Sequence, residues 1–171
     1  MADIRAVVFD VETTGFSPLR GDRIIEIGAV MVEGRRCTGE YQTLVSVPES
    51  VTRKASQVHG ITDRMLQGQP LPEEVYPALR DFIGGSTLVA HNASFDLAFL
   101  AHELARLGMS LPNRHICTLR LARRRLPELP NHRLETVYRH LFGELPDGNW
   151  RHRALDDARL TARVWLALAN E

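Results

Sequence analysis

The first apolar run of the chain ends in two acidic residues, and this arrangement limits what the chain can fold into. Arg5–Val11 is rich in β-branched and aromatic residues, as in a buried strand, and it leads into Asp10 and Glu12. Because side chains alternate across a strand, these two carboxylates share one face. Carboxylates side by side near a core repel each other, and a divalent cation is the natural compensation. The pattern favours a metal site at the strand end over a solvated end with capping residues.

The order of the predicted elements indicates a mixed α/β sheet with helices packed on it. The first three strands, joined by short turns, are typical of an antiparallel meander: Arg5–Val11, Ile24–Val32 and Thr38–Val47. A polar, loop-rich stretch follows at Pro48–Pro72. Short strands are then predicted at Thr87–His91 and His115–Thr118, and helices at Glu73–Ile83, Ser94–Leu107, Leu119–Leu126, Leu134–Phe142 and Ala154–Leu168.

Two further acidic segments stand at predicted helix starts. In the run from His91 to Asp96, a strand passes into a helix that Asn92 or Ser94 can cap, and Asp96 falls in the first turn. In the run from His152 to Asp157, the histidine precedes the last helix and the aspartate falls in its early turns. Taken singly, each acidic residue is explained equally well by favourable charge at a helix N-terminus.

Taken together, the acidic residues predict a binuclear metal centre. The set comprises Asp10, Glu12, Asp96 and Asp157, with His152 nearby. Carboxylate oxygens suit Mg²⁺ or Mn²⁺ better than Zn²⁺. Four carboxylates exceed what one Mg²⁺ normally takes from a protein, whereas they fit two cations about 4 Å apart, an arrangement used for phosphodiester displacement.

Composition narrows the class of protein. The 171 residues fit one domain, spanning 1–171, and the balance of 21 basic and 21 acidic residues predicts local nucleic-acid contacts and argues against a duplex-coating protein. The cysteines Cys37 and Cys117 show neither metal spacing nor a disulfide framework. The N-terminus lacks a signal-peptide pattern and no apolar run is long enough to cross a bilayer, so we expect a cytoplasmic protein with no membrane partner.

The acidic segments also resemble a known family. The three exonuclease motifs of the DEDDh 3′–5′ exonucleases (DnaQ-like) are similar to Asp10-Val11-Glu12-Thr13-Thr14-Gly15, His91-Asn92-Ala93-Ser94-Phe95-Asp96 and His152-x₄-Asp157. Within that family the likeness is greatest to the epsilon proofreading subunit of bacterial DNA polymerase III, which also resembles this chain at residues 24–29 and 58–62. The sister DEDDy group has Tyr four residues before the last Asp; Arg153 stands there, and His152 one residue earlier indicates the His type.

The resemblance implies a ribonuclease H-like fold, with a five-stranded mixed sheet whose first three strands are antiparallel. It implies that Asp10, Glu12 and Asp157 hold a first cation, Mg²⁺ or Mn²⁺. Asp10 would bridge to a second cation supported by Asp96, and His152 would act as general base. A histidine with a pKa near 6.5 can take a proton at neutral pH, which agrees with that role.

Contacts to the substrate are implied for a further set of residues: Thr13, Thr14, Gly15, Phe16, His59 and Asn92. Phe16 could instead be a core side chain in a turn, and His59 an ordinary loop histidine. The basic run Arg120, Arg123, Arg124 and Arg125 is either a solvated helix face or a track for phosphates. Trp150 could cover the site or simply pack.

The leading hypothesis is a metal-dependent 3′–5′ exonuclease that releases nucleoside monophosphates from single-stranded or mispaired DNA 3′ ends, in proofreading or repair. The expected partner is single-stranded DNA or a DNA 3′ end. RNA as a substrate and a DNA polymerase as a protein partner are further options. An exoribonuclease of the same fold would need a contact to the 2′-OH that the sequence does not reveal. A non-catalytic module that binds nucleic-acid ends or a polymerase would have no need to keep carboxylates clustered.

Overall fold

The structure, a computed structural model, describes residues 5–146 and 152–169. Its centre is a five-stranded sheet of order β3-β2-β1-β4-β5. The strands are β1 (Arg5–Thr13), β2 (Ile24–Glu33), β3 (Arg36–Leu44), β4 (Thr87–Ala90) and β5 (His115–Cys117). β1, β2 and β3 are antiparallel neighbours, whereas β4 pairs in parallel with both β1 and β5. This confirms the predicted mixed sheet with its antiparallel meander first.

Helices cover both faces of the sheet. They are α1 (Arg53–His59), α2 (Asp63–Leu66), α3 (Pro72–Ile83), α4 (Ala93–Arg106), α5 (Thr118–Arg125), α6 (Leu134–Phe142) and α7 (Ala154–Leu168). Within the described ranges, no helix has the length and apolar character needed to span a membrane.

The alternation of side chains along β1 decides which helix meets which face. Val7, Phe9 and Val11 pack into a core built with α3 and α4. Ala6 and Val8 point the other way and pack against α7. Because the period of a strand is two residues, Asp10 and Glu12 follow Ala6 and Val8 onto the α7 face.

The predicted elements are confirmed, with shifted ends. β1 continues to Thr13, so the acidic pair lies inside the strand and is held by pairing with β2. β3 runs from Arg36 to Leu44 and not from Thr38 to Val47. The loop-rich stretch contains the two short helices α1 and α2.

Candidate active site

Three carboxylates meet on the α7 face of the sheet. Ligand oxygens of Asp10, Glu12 and Asp157 lie within 4.8 Å of one another. Glu12 and Asp157 are buried, and Asp10 is partly buried and faces a cavity. The neighbouring Asp156 points away and pairs with Arg159, as expected for adjacent residues about 100° apart on a helix. The strand and the last helix therefore supply one compact set of oxygen ligands.

A glycine on β2 lets the last helix come this close. Gly28 pairs with Asp10 across the sheet. A Cβ atom built on Gly28 would lie 2.0 Å from the backbone nitrogen of Leu155, at the start of α7. Since real Cβ atoms do not approach backbone so closely, the N-terminal turn of α7 rests directly on bare β2 backbone. This contact places Asp157 above Asp10.

A buried ion pair fixes the first residues of α7. The Glu26 side chain is fully buried and accepts hydrogen bonds from the Arg153 guanidinium, with Nη2–Oε1 at 2.6 Å and Nε–Oε2 at 3.0 Å. Oε2 also accepts from the Ala154 backbone N–H at 3.1 Å. Glu26 thus satisfies a free amide at the helix start while Arg153 balances its charge. Arg153 stands where the DEDDy group has its tyrosine, and here its side chain binds Glu26.

Asp96 approaches from the opposite layer. It lies in the first turn of α4, is 3% exposed, and accepts a 3.3 Å hydrogen bond from the Val11 backbone N–H through Oδ1. Asp96 is not among the three carboxylates that lie within 4.8 Å of one another, but its charge acts on Asp10 and that of Asp157 acts on it, which suits a residue at the edge of a metal centre. Asn92, which precedes α4, has a left-handed backbone (φ 69°), and its side chain makes no capping hydrogen bond to the helix. Of the two predicted caps, Asn92 occupies the N-cap position without a side-chain hydrogen bond, and Ser94 lies inside the helix.

The acidic residues are held in an environment that disfavours their charge. Burial raises the pKa of Glu12 to about 8, with further contributions from Asp157 and Glu26. Burial also raises the pKa of Asp96 to about 7, against the effect of its backbone hydrogen bonds. The pKa of Asp10 is raised well above its usual range by burial and by the neighbouring carboxylates. Divalent cations would relieve this repulsion, so the residues present fit a metal centre.

His152 lies beside the carboxylates at the mouth of the site. Its Nδ1 is 3.0 Å from Asp157 Oδ2, and its Nε2 is 3.3 Å from Glu135 Oε1. The hydrogen bond to Asp157 is the main cause that raises the pKa of His152 to about 8. The histidine is therefore anchored between a carboxylate of the site and one of α6.

An open cavity of about 700 Å³ adjoins the carboxylates and is also lined by residues of α5 and α6. Its lining includes Asp10, Asp157, His152 and Asn92 together with Arg123, Arg133 and Glu135. Sequence reasoning missed Glu135 and Arg133. The signal available for Glu135 was an acidic residue in the first turn of a predicted helix, which is too common to stand out.

Comparison with known proteins identifies the family. Residues 7–165 match the RNase T family, described as "Exonuclease". The chain belongs to this exonuclease family. The comparisons support the predicted DEDDh exonuclease family, and the fold is the ribonuclease H-like fold of its structural neighbours.

Curated relatives include DNA polymerases. The chain is 41% identical over 162 residues to a protein named DNA polymerase III PolC-type from Clostridium perfringens (strain 13 / Type A), covering 95% of the chain. It is 42% identical over 166 residues to the protein of the same name from Thermotoga maritima, covering 96% of the chain. The chain spans only 11% and 12% of the length of these two relatives.

Solved structures share the whole fold. An exonuclease X in complex with 5′ overhanging duplex DNA is 28% identical with a TM-score of 0.78, and the match covers 96% of this chain and 91% of that one. Escherichia coli exonuclease I in complex with a dT13 oligonucleotide superposes with a TM-score of 0.83 at 17% identity, over 98% of this chain and 41% of that one. The latter likeness concerns the fold alone.

The residues predicted to contact substrate in this exonuclease fold divide by exposure. Phe16 is 61% exposed, so it is not a core side chain, and Asn92 is exposed and lines the cavity. Thr13, Thr14 and Gly15 are buried at the end of β1. A Cβ on Gly15 would lie 2.3 Å from the Asp22 carboxylate, so a larger residue there would make the Asp22 side chain move.

His59 packs against the end of β1. It is 3% exposed; Nε2 lies 3.1 Å from the Thr13 carbonyl, and Nδ1 accepts from the Ile61 N–H at 3.0 Å. Both ring nitrogens are therefore engaged within the chain, and neither is presented to a ligand in this structure. Trp150 lies outside the described residues.

Proposed function

We propose that this exonuclease domain is a metal-dependent 3′–5′ exonuclease that releases nucleoside monophosphates from single-stranded or mispaired DNA 3′ ends. The observation that carries the proposal is the cluster of Asp10, Glu12 and Asp157 beside His152, open to a cavity. Carboxylates whose pKa values are raised by burial and by one another's charge have a purpose in a metal centre and none in a simple binding surface. We further propose that residues 1–171 form a single domain.

The residues have distinct roles in the proposed reaction. Asp10, Glu12 and Asp157 would hold a first divalent cation, and Asp10 with Asp96 would support a second. When bound, Mg²⁺ or Mn²⁺ would polarise the scissile phosphate and stabilise the charge that develops on it. His152 accepts the proton of the attacking water. Because Nδ1 faces Asp157 and Nε2 faces Glu135, one of these contacts must open to free a nitrogen for that proton.

DNA is the proposed substrate because the curated relatives are named DNA polymerases and the exonuclease X neighbour was solved with DNA. The same relatives suggest a role in proofreading or repair, a DNA polymerase as partner, and the bacterial cytoplasm as the setting. We propose Phe16 as the side chain that lies against a base at the 3′ end, since a 61% exposed phenylalanine offers a stacking face.

The proposal is tested by degradation of matched DNA and RNA oligonucleotides that carry either a 5′ or a 3′ label. With Mg²⁺ or Mn²⁺, a 5′-labelled DNA strand should shorten one nucleotide at a time, and EDTA should abolish the reaction. Single strands and mispaired ends should be cut faster than paired ends, because each unpaired step costs about 1.4 kcal/mol of stacking.

Each alternative gives a different pattern in the same assay. Full activity in EDTA would contradict the metal centre, and preferential degradation of RNA would identify an exoribonuclease. Binding of DNA ends without cleavage at any metal concentration would identify a binding module.

A further inference from the structure

Two positively charged arginine side chains line the cavity beside the carboxylates. Arg123 lies on α5 and Arg133 immediately precedes α6, and both line the same cavity as Asp10 and Asp157. Both side chains are exposed. Exposed guanidinium groups next to a proposed phosphodiester site can bind a phosphate in a bidentate manner.

In the part of the chain that the structure describes, Arg123 and Arg133 have no acidic partner that would neutralise them, unlike the paired arginines of the molecule. Arg23 pairs with Glu49 and Glu103, Arg153 with Glu26, and Arg159 with Glu40 and Asp156. Within residues 5–146 and 152–169, neither Arg123 nor Arg133 forms an ion pair. Their charge is therefore available to an anion in the cavity.

The helix geometry singles out one member of the basic run on α5. Arg123 follows Leu119 by four residues, which places both on one face of the helix, and both line the cavity. Arg120, Arg124 and Arg125 are exposed but do not line it. Three of the four arginines thus belong to a solvated face, and Arg123 alone of the run reaches the site.

Partly buried hydrogen bonds hold the chain segment that carries Arg133. His91, which directly follows β4, has Nε2 2.8 Å from the carbonyl of His132 and Nδ1 2.9 Å from the Thr118 hydroxyl. The His132 ring in turn lies 2.9 Å from the carbonyl of Leu126. The backbone between α5 and α6 is therefore tied to the motif that carries Asp96.

The chemistry of a 3′ end indicates which phosphate would bind there. The nucleotide to be released ends in a 3′-hydroxyl and carries one phosphate, the scissile one, which the proposed function places at the carboxylates. A second phosphate near the site can come only from the strand on the 5′ side. Thr13–Phe16, the segment proposed to meet the terminal nucleotide, does not line the cavity.

We propose that Arg123 and Arg133 form a subsite for the backbone phosphate of single-stranded nucleic acid immediately 5′ of the scissile bond. The proposal rests on the proposed exonuclease function. The nearby Glu135 is held by His152, and the cations of the working centre offset Asp10 and Asp157, so an anion can occupy this side of the cavity.

The test compares two substrates in the presence of Mn²⁺. One is a short single-stranded DNA oligonucleotide; the other is the p-nitrophenyl ester of thymidine 5′-monophosphate, which has a scissile phosphate but no strand on its 5′ side. Arg123→Ala and Arg133→Ala should each lower kcat/KM roughly tenfold or more on the oligonucleotide relative to the ester, mainly through KM. The slope of log Kd against log salt for the oligonucleotide should shrink by about 0.7 for each arginine–phosphate interaction that is removed.

Arg124→Ala is the matched control, since Arg124 neighbours Arg123 on the same helix but does not line the cavity. Equal losses on both substrates, or an Arg123→Ala variant that behaves like Arg124→Ala, would overturn the subsite. If the unsubstituted chain cleaves neither substrate, the nuclease proposal fails instead. Fluorescence anisotropy of a labelled oligonucleotide then still decides the subsite, through the affinity of Arg123→Ala against that of Arg124→Ala.

Discussion

At the scale of single residues, the proposed chemistry depends on one histidine held between two carboxylates. His152→Ala should lower turnover by about 10²–10⁴-fold, because the attacking water loses its base. Mn²⁺ binding should remain nearly intact, since Asp10, Glu12 and Asp157 are unchanged. Single-turnover assays at saturating Mn²⁺, with calorimetric titration of the metal, measure both quantities.

Two further variants serve as controls for the His152→Ala experiment. Asp10→Asn should damage metal binding and turnover together, whereas His140→Ala, at an exposed histidine on α6, should affect neither. A His152→Ala protein with unchanged turnover at saturating metal would contradict the role of general base.

Glu135 should act through His152. The two side chains are 3.3 Å apart and partly exposed, so their interaction is modest. Glu135→Gln should lower turnover about two- to fivefold when His152 is present. In a His152→Ala background the same substitution should have no further effect, because the partner is gone. An equal loss in both backgrounds would assign Glu135 a role independent of the histidine.

The sequence predicts some of these residues and not others for a physical reason. Asp10 and Glu12 stand out because two carboxylates at strand spacing contradict the apolar run before them. Glu135 and Arg133 sit at an ordinary helix start, and only packing of α6 near α7 brings them to the cavity. For His59, the sequence left open a substrate contact or an ordinary loop histidine; the structure places it at the end of α1, in contact with Thr13 and Ile61, which only the tertiary fold brings together.

At the scale of elements, the site depends on the close approach of α7 to β2. Gly28→Ala would place a methyl group 2.0 Å from the Leu155 backbone, which cannot be accommodated without moving the helix. We expect a loss of about 3 kcal/mol or more in the free energy of unfolding, at the upper end for overpacking. Turnover should fall as well, because Asp157 moves away from Asp10.

Gly39→Ala on β3 is the matched control. Its Cβ would lie 3.7 Å from the nearest side-chain atom, an ordinary contact, so stability and turnover should change little. Thermal unfolding and oligonucleotide degradation, measured on both variants, check the expectation. Wild-type stability and activity in Gly28→Ala would show that the helix is not seated as described.

Element boundaries show where sequence patterns stop being informative. α6 and α7 begin and end where their apolar spacing predicts. β1 extends two residues past its apolar run, because pairing with β2 continues through the acidic residues to Thr13. The strand ladder, which is a tertiary property, overrides local composition there.

At the scale of the whole molecule, charge is balanced overall and unbalanced at the site. Equal numbers of basic and acidic residues leave no general attraction for nucleic acid. In the proposed function, the acidic centre and the arginines of the cavity would therefore recognise nucleic acid locally, at a strand end. The order of strands and helices predicts this architecture because three antiparallel strands followed by alternating elements leave few ways to build one sheet.

The metal centre should also couple stability to pH. Burial raises the pKa of Glu12 from 4.5 to about 8 and that of Asp96 from 3.8 to about 7, so in this range the folded state binds more protons than the unfolded state. The contribution of these two groups to the free energy of unfolding is therefore largest below their unfolded pKa values, and it is lost as pH rises towards 8. The melting temperature in EDTA should therefore fall between about pH 5 and pH 8. Mn²⁺, which binds the ionised carboxylates of the folded state, should raise it more at pH 8 than at pH 5.5.

The double variant Asp10→Asn, Glu12→Gln is the control for this coupling. It removes the repulsion between these two carboxylates, and it removes two of the three carboxylates that would bind the first cation. That variant should melt with a weaker dependence on pH in EDTA and should gain little from Mn²⁺. Differential scanning fluorimetry across the pH range, with and without Mn²⁺, measures both effects. Two results together would contradict the prediction: a melting temperature in EDTA that does not fall as pH rises, and an Mn²⁺ shift that is equal at pH 5.5 and pH 8. The buried carboxylates would then not repel one another in the way that the proposed metal centre requires.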